Sequence, residues 1–135
     1  MRSSKARILS RVHAIPDLRF SDQSLTSASG LIVFQVLFAR LDLRRKLREC
    51  CRHVRGSGDF KLPELFLTLI IHITLGYREL DDVRFYRDDP MVLRVLGLGR
   101  LPSTATMSRR LRALDMETIT NLQHLNRLLI LDRIE

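Results

Sequence analysis

The sequence is poor in the residue types that define several classes of protein. It has no tryptophan and only two cysteines in 135 residues, and because Cys50 and Cys51 are adjacent they imply no disulfide framework and favour a reducing compartment. The longest apolar run, residues 65–75, is too short to span a bilayer, and the N-terminus lacks the apolar stretch of a secretory signal. We therefore expect a cytoplasmic protein with no membrane partner.

Acidic residues are also in short supply. Fifteen aspartates and glutamates face 23 lysines and arginines, which gives a net charge of +8. An excess of this size attracts polyanions, and charge alone does not choose among nucleic acids, anionic membranes and acidic protein partners. A hydrophobic content of 45% with 28% charged residues is typical of a globular chain.

The apolar spacing predicts an all-α fold, a compact multi-helix domain. Residues 1–18 are interpreted as a flexible basic arm, and residues 19–135 as a single helical domain with one short extended piece near residues 18–21. The length of the chain suits one domain with a core of its own.

Two segments are apolar enough to be buried helices. The first, capped by Thr26 or Ser27 and running to about Arg40, is apolar nearly all round, so we predict that it is the central helix. The second, residues 61–77, has a proline in its first turn and a glycine as its stop. It carries His72 on an apolar helix, where a core histidine is favoured over a catalytic one.

Residues 40–55 form the densest basic cluster, with seven lysines and arginines. This helix could grip a nucleic-acid backbone or could simply present a solvated basic face. Cys50, Cys51 and His53 suggest zinc, but no second pair of ligands stands at zinc spacing, so we predict no metal site. The candidate DNA-binding residues in this cluster are Arg44, Arg45, Lys46 and Arg48.

Residues 78–90 are locally acidic. Asp81 and Asp88 could belong to a magnesium site of an independent enzyme, but structural roles are favoured, because no third fixed ligand accompanies them. Asp89 precedes Pro90 and is predicted to cap the next helix. Before it, a short helix is predicted to turn Val83, Tyr86 and also Phe85 inward.

Residues 101–114 have the pattern of a recognition helix. Ser103 is its predicted N-cap, and Met107, Leu111 and Leu114 form one apolar stripe opposite a small, hydroxylated and basic face. A short helix and a glycine-bearing turn precede it, which is helix-turn-helix order in the C-terminal third; the alternative is a surface helix with solvated arginines. The candidate DNA-binding residues here are Arg100, Ser103, Thr104, Thr106, Ser108, Arg109, Arg110 and Arg112.

The last segment, residues 116–135, is predicted to be a helix capped by Asp115. Its apolar residues stand in rough heptad register. Packing on the chain's own domain is favoured over a coiled coil, because only about two turns keep that register.

The stretches GYRELDDV, RDDP, LGL and LPSTATMSR follow one another in an order and spacing that resembles the N-terminal region of bacterial insertion-sequence transposases of the DDE class. The resemblance covers about residues 19–127. It implies binding of double-stranded DNA at the terminal inverted repeats of a mobile element, with a second copy of the chain or an intact transposase as a further partner. It also implies a following RNase-H-like core, where three acidic residues hold two divalent metal ions.

The sequence ends where that core would begin. We therefore expect a truncated DNA-binding fragment that lacks the catalytic residues, is not an enzyme and needs no cofactor, magnesium belonging only to the missing core. The alternative is a helical interaction or dimerisation module with no specific DNA binding.

Overall fold

The computed structural model describes residues 26–55 and 58–131, and within these ranges every regular element is helical. The predicted all-α class is therefore confirmed, while the basic arm at residues 1–18 and the extended piece near residues 18–21 lie outside the described residues. In chain order the elements are α1 (Leu31–Arg40), α2 (Leu43–Cys50), α3 (Leu62–Thr74), a 3₁₀ helix (Leu80–Phe85), α4 (Pro90–Leu96), α5 (Thr104–Arg112) and α6 (Met116–Leu131).

The buried centre of the fold is α3, which packs against α2 and α4. Its start is fixed locally, since the Glu64 carboxylate accepts the backbone N–H of Lys61 at 3.0 Å and a proline stands in the first turn. The chain turns away at Gly76, whose φ of +90° favours glycine. Leu65 and Ile71 are among its most buried side chains, so the predicted second buried helix is confirmed.

The prediction that the first apolar helix is central is wrong. Only Leu31 and Phe38 of α1 are buried, whereas Ile32, Val33 and Val36 are 52%, 66% and 53% exposed. A helix that is apolar all round gives no signal for which side is covered, and α1 packs closely only against α2 and α4.

The predicted cap of α1 is wrong as well. The helix begins at Leu31, after Gly30, without a side-chain cap. Thr26 instead accepts the backbone N–H of Ala28 at 2.9 Å and donates to the Asp89 carboxylate at 2.7 Å. This hydroxyl therefore joins the start of the described chain to α4.

Asp89 caps α4 as predicted. Its carboxylate accepts the backbone N–H groups of Met91 and Val92 at 2.9 and 3.2 Å. The helix ends at Gly97, which adopts the left-handed conformation with φ +65°. Asp89 and Gly97 thus determine where this short helix begins and ends.

His72 lies in the core, as the sequence predicts, beside an aromatic cluster formed by Tyr77, Phe85 and Tyr86. Its Nδ1 lies 2.6 Å from the Tyr86 hydroxyl, and burial raises the pKa of that tyrosine. Val83 and Tyr86 of the 3₁₀ segment turn inward, but Phe85 is 61% exposed, so the inward prediction for Phe85 is wrong. His72 and Tyr86 therefore have a structural role in the core.

α6 packs against α2, which confirms that this helix packs on its own domain. Leu125 is buried, and Leu122 and Leu129 are partly buried against the core. Asp115 accepts the backbone N–H of Thr118 at 2.8 Å, as a predicted cap should. In the described ranges none of the helices is long and apolar enough to cross a membrane.

The two helices of the predicted helix-turn-helix unit, α4 and α5, follow one another along the chain but do not pack closely against each other. α4 packs closely against α1 and α3, whereas α5 packs against the 3₁₀ helix. The connection, residues 97–103, is longer than the turn of about three to four residues typical of that motif, and it buries Leu101. The structure therefore does not confirm a helix-turn-helix unit.

Candidate nucleic-acid interface

The local sequence builds α5 as an amphipathic helix. Ser103 accepts the backbone N–H of Thr106 at 3.2 Å, which confirms the predicted N-cap. Met107 is 1% exposed, and Leu111 and Leu114 are partly buried against the core. The predicted apolar stripe therefore seats the helix and leaves its other face outside.

The outer face of α5 carries small, hydroxylated and basic side chains. Ala105, Arg109 and Arg112 are exposed, and Thr104, Thr106, Ser108 and Arg110 are partly exposed. Among the described residues, Arg109 and Arg112 form no hydrogen bond or ion pair. Both guanidinium groups are therefore available to an external anion.

A groove of about 650 Å³ runs along one side of α5, and we call it the α5 groove. It is built by α5 together with residues near position 60, the residues between the 3₁₀ helix and α4, and the connection before α5. Among the described residues that line it, cations outnumber anions. The charged residues that line it are Arg87, Arg100, Arg109, Arg110, Asp59 and Asp88.

Some of these groups are held by the groove itself. The Arg100 guanidinium donates to Asp59 at 2.6 Å and lies 5.7 Å from the centre of the Phe60 ring. Arg110 donates to the backbone carbonyl of Phe60 at 3.4 Å, and a Cβ at Gly58 would run into its guanidinium. The loop before α3 therefore positions two of the four arginines.

The predicted basic residues of α2 do not share one surface. Leu43, Leu47 and Cys50 are buried, so the predicted amphipathic helix is present. Only Arg48 reaches the neighbourhood of α5, in a second cleft of about 220 Å³ that Lys61 and Arg110 also line.

The other three basic side chains of α2 lie elsewhere. Arg44 donates to the carbonyl of Val95 at 2.6 Å, at the C-terminal end of α4. Arg45 forms ion pairs with Asp42 and with Glu49, the latter at 3.0 Å. The pocket beside Lys46 is lined by α6 residues instead.

Sequence reasoning missed Arg87, Lys61 and Phe60. Arg87 stands in the locally acidic segment, where the neighbouring aspartates outweigh its positive charge in the local net charge. Lys61 and Phe60 precede a buried helix and belong to no basic cluster. Only the tertiary fold brings these residues beside α5, so no linear signal could have found them.

The remaining candidate chemistry is structural in the described part of the chain. Cys50 and Cys51 are free and buried, and burial raises the pKa of Cys51 to about 11, so its thiol stays protonated at neutral pH. His53 lies 3.0 Å from the Asp115 carboxylate. Across residues 26–55 and 58–131, no three histidines, cysteines, aspartates or glutamates are grouped so as to hold a metal ion.

Comparison with known proteins identifies the family. The model of the family described as transposase DDE domain, group 1, matches residues 14–135. No curated protein and no solved structure matches the chain. The family match contradicts the prediction that the chain lacks the DDE core and is not an enzyme, because a DDE domain model spans nearly the whole sequence. The chain belongs to the DDE transposase family.

Proposed function

We propose that this chain binds double-stranded DNA at the terminal inverted repeats of a mobile element, with α5 as the reading helix. The observation that carries the proposal is the convergence of four arginines on the α5 groove, next to a helix face that is small, hydroxylated and exposed. Family membership supports a role on DNA.

The two parts of this surface suit different parts of a duplex. An α-helix fits the DNA major groove, where the short side chain of Ala105 permits close approach and Arg109 can pair with the O6 and N7 atoms of guanine. Arg87, on the wall of the α5 groove, suits a backbone phosphate, a contact that fixes the register without reading sequence, whereas Arg100 is already paired with Asp59. Arg109 is therefore the proposed base-reading residue.

Arg109→Ala tests this assignment. Affinities are measured by fluorescence anisotropy at about 150 mM salt, with duplexes that tile the DNA on either side of the gene and scrambled duplexes of equal composition. Loss of a bidentate base contact should weaken binding to the preferred duplex by about 5- to 150-fold, the equivalent of about 1–3 kcal/mol, with a smaller loss on scrambled DNA.

The matched control is Arg127→Ala, which removes one exposed positive charge from α6 and lines neither the α5 groove nor the second cleft. It should change both affinities by no more than about two-fold. Equal binding of all duplexes by the wild-type chain contradicts sequence-specific recognition, and no binding contradicts a DNA-binding role altogether.

The resemblance to DDE transposases implies divalent metal ions held by three acidic residues. The described carboxylates, including Asp81 and Asp88, do not form such a centre, because no three histidines, cysteines, aspartates or glutamates of residues 26–55 and 58–131 are grouped closely enough to hold a metal ion. In that part of the chain we therefore assign no metal ligands and derive no metal-dependent step.

A second candidate function is self-association through α6. Leu128, Ile130 and Leu131 are exposed at its C-terminal end. A contiguous patch of exposed apolar side chains, unlike single scattered ones, marks an interaction surface. Sedimentation that depends on concentration, together with no binding of any duplex, supports this function over DNA recognition.

A further inference from the structure

The second cleft, which we call the Lys61 cleft, differs from the α5 groove in its charge. Arg48, Lys61 and Arg110 converge on it from α2, from the residue before α3 and from α5. The other described residues that line it are Cys51 and apolar side chains, and none of the described lining residues carries a carboxylate. Such a concentration of positive charge attracts an anion.

The acids close in sequence to these cations are engaged elsewhere, since Glu49 pairs with Arg45 and Asp59 pairs with Arg100. Glu64 turns its carboxylate to the backbone N–H of Lys61, at 3.0 Å, where it caps α3. There the Glu64 charge offsets the dipole at the start of α3. The positive potential of the cleft therefore comes from the side chains of Arg48, Lys61 and Arg110.

The size of the cleft limits what it can hold. At about 220 Å³ it is smaller than the roughly 300–1,000 Å³ typical of sites for drug-sized molecules. It suits a compact anion such as one phosphate group. Inorganic phosphate and a backbone phosphodiester share this chemistry.

Arg110 lines both the Lys61 cleft and the α5 groove. The two sites therefore adjoin at Arg110, and one DNA strand can contact both. This continuity favours a backbone phosphate of bound DNA over a free ion.

We propose that the Lys61 cleft holds one backbone phosphate of the DNA that α5 reads, as an anchor that is indifferent to sequence. The inference rests on the proposed DNA-binding function and adds Lys61 to the interface. It predicts that the cleft raises affinity for all duplexes alike, because phosphates carry no sequence information.

Lys61→Gln tests the anchor, since it keeps the backbone N–H that Glu64 caps and removes only the charge. Binding to the preferred duplex and to scrambled DNA should weaken together, by about 3- to 10-fold near physiological salt, and the slope of log K against log salt should fall by about 1. Lys61→Arg should restore most of the affinity. Arg127→Gln is the matched control and should leave the slope within about 0.3 of wild type.

A neutral methylphosphonate, placed at one backbone position at a time, identifies the phosphate. One position should weaken the wild-type complex and have no effect on Lys61→Gln. The proposal is overturned if no methylphosphonate position weakens the wild-type complex and millimolar inorganic phosphate abolishes the difference in affinity between the wild type and Lys61→Gln. That result would show a site for a free ion.

The remaining outcomes separate the two proposals. Lys61→Gln that binds like Arg127→Gln, or that loses affinity only for the preferred duplex, overturns the anchor and leaves DNA recognition by α5 standing. A wild-type chain that binds no duplex overturns both. Thermal unfolding of each variant, expected within about 2 °C of wild type, shows that the changes in affinity come from a folded protein.

Discussion

α2 and α5 are both short basic helices, and in the sequence they look alike. In the structure their arginines do different things. On α2, Arg44 and Arg45 donate to groups of the protein itself, whereas on α5 Arg109 and Arg112 meet no partner among the described residues. Positive charge that is dense along the chain is therefore not the same as positive charge that is available to a ligand.

The difference follows from where each helix lies. Acceptors lie within reach of α2, because Asp42 and Glu49 stand one turn from Arg45 along the chain and the Val95 carbonyl at the end of α4 faces Arg44. α5 packs closely only against the 3₁₀ helix and rests on one buried methionine. Arg109 and Arg112 of this helix are thereby left for contacts outside the fold, whereas Arg110 donates to the Phe60 carbonyl.

Met107→Ala should have the largest effect on this comparison, because Met107 is the most buried side chain of α5. A cavity in place of a buried methionine costs about 2–5 kcal/mol of unfolding free energy. Urea denaturation followed by circular dichroism measures the loss, and Met107→Leu is the volume-conserving control with an expected cost below about 1.5 kcal/mol. An unchanged unfolding midpoint for Met107→Ala would mean that α5 is held by something other than its apolar stripe.

Arg44→Gln should have an intermediate effect and tests the structural role of α2. Its guanidinium serves the C-terminal end of α4, where a cation and a hydrogen bond to Val95 are both favourable, so its loss should cost about 1 kcal/mol of unfolding free energy. Its DNA affinity should change no more than that of Arg127→Gln. Arg109→Ala should show the reverse, which is weaker DNA binding with unchanged stability. Equal losses of stability for the two variants would contradict the distinction between a structural Arg44 and a ligand-binding Arg109.

Asp115→Asn should have the smallest effect at neutral pH, where asparagine can still cap α6. Hydrogen bonds from Thr118, and then from His53, lower the pKa of Asp115 below its ordinary value of 3.8. A lowered folded pKa stabilises the fold above pH 3.8, and this contribution is lost as the pH falls through the folded value. Thermal midpoints from pH 6 to pH 2 should therefore fall more steeply below pH 3.8 for the wild type than for Asp115→Asn, and parallel curves would contradict this role.

The features that sequence predicted well are local ones. The caps made by Ser103, Asp89 and Asp115 depend on residues within three positions of each other. A proline near the start of α3 and a glycine just after its end mark the limits of that helix in the sequence. The family was identified from several motifs at fixed spacing, and the family model agrees with that identification while contradicting the absence of the DDE core.

The features that sequence could not predict depend on which elements meet. The apolar pattern of α1 has no polar face, so it cannot show which side stays exposed. Likewise, nothing in the chain order shows that α4 and α5 pack on different neighbours, or that Arg110 shares one cleft with Arg87 and another with Lys61. These are tertiary facts with no local signature.

Arg110 has a consequence for how the protein can change over generations. Because it lines both the α5 groove and the Lys61 cleft, a substitution there alters two proposed contacts at once. Arg109 lines only the α5 groove, so a change of target DNA sequence should involve substitution at position 109 and leave position 110 unchanged. We expect related elements with different ends to vary at the first of these neighbouring arginines and to keep the second.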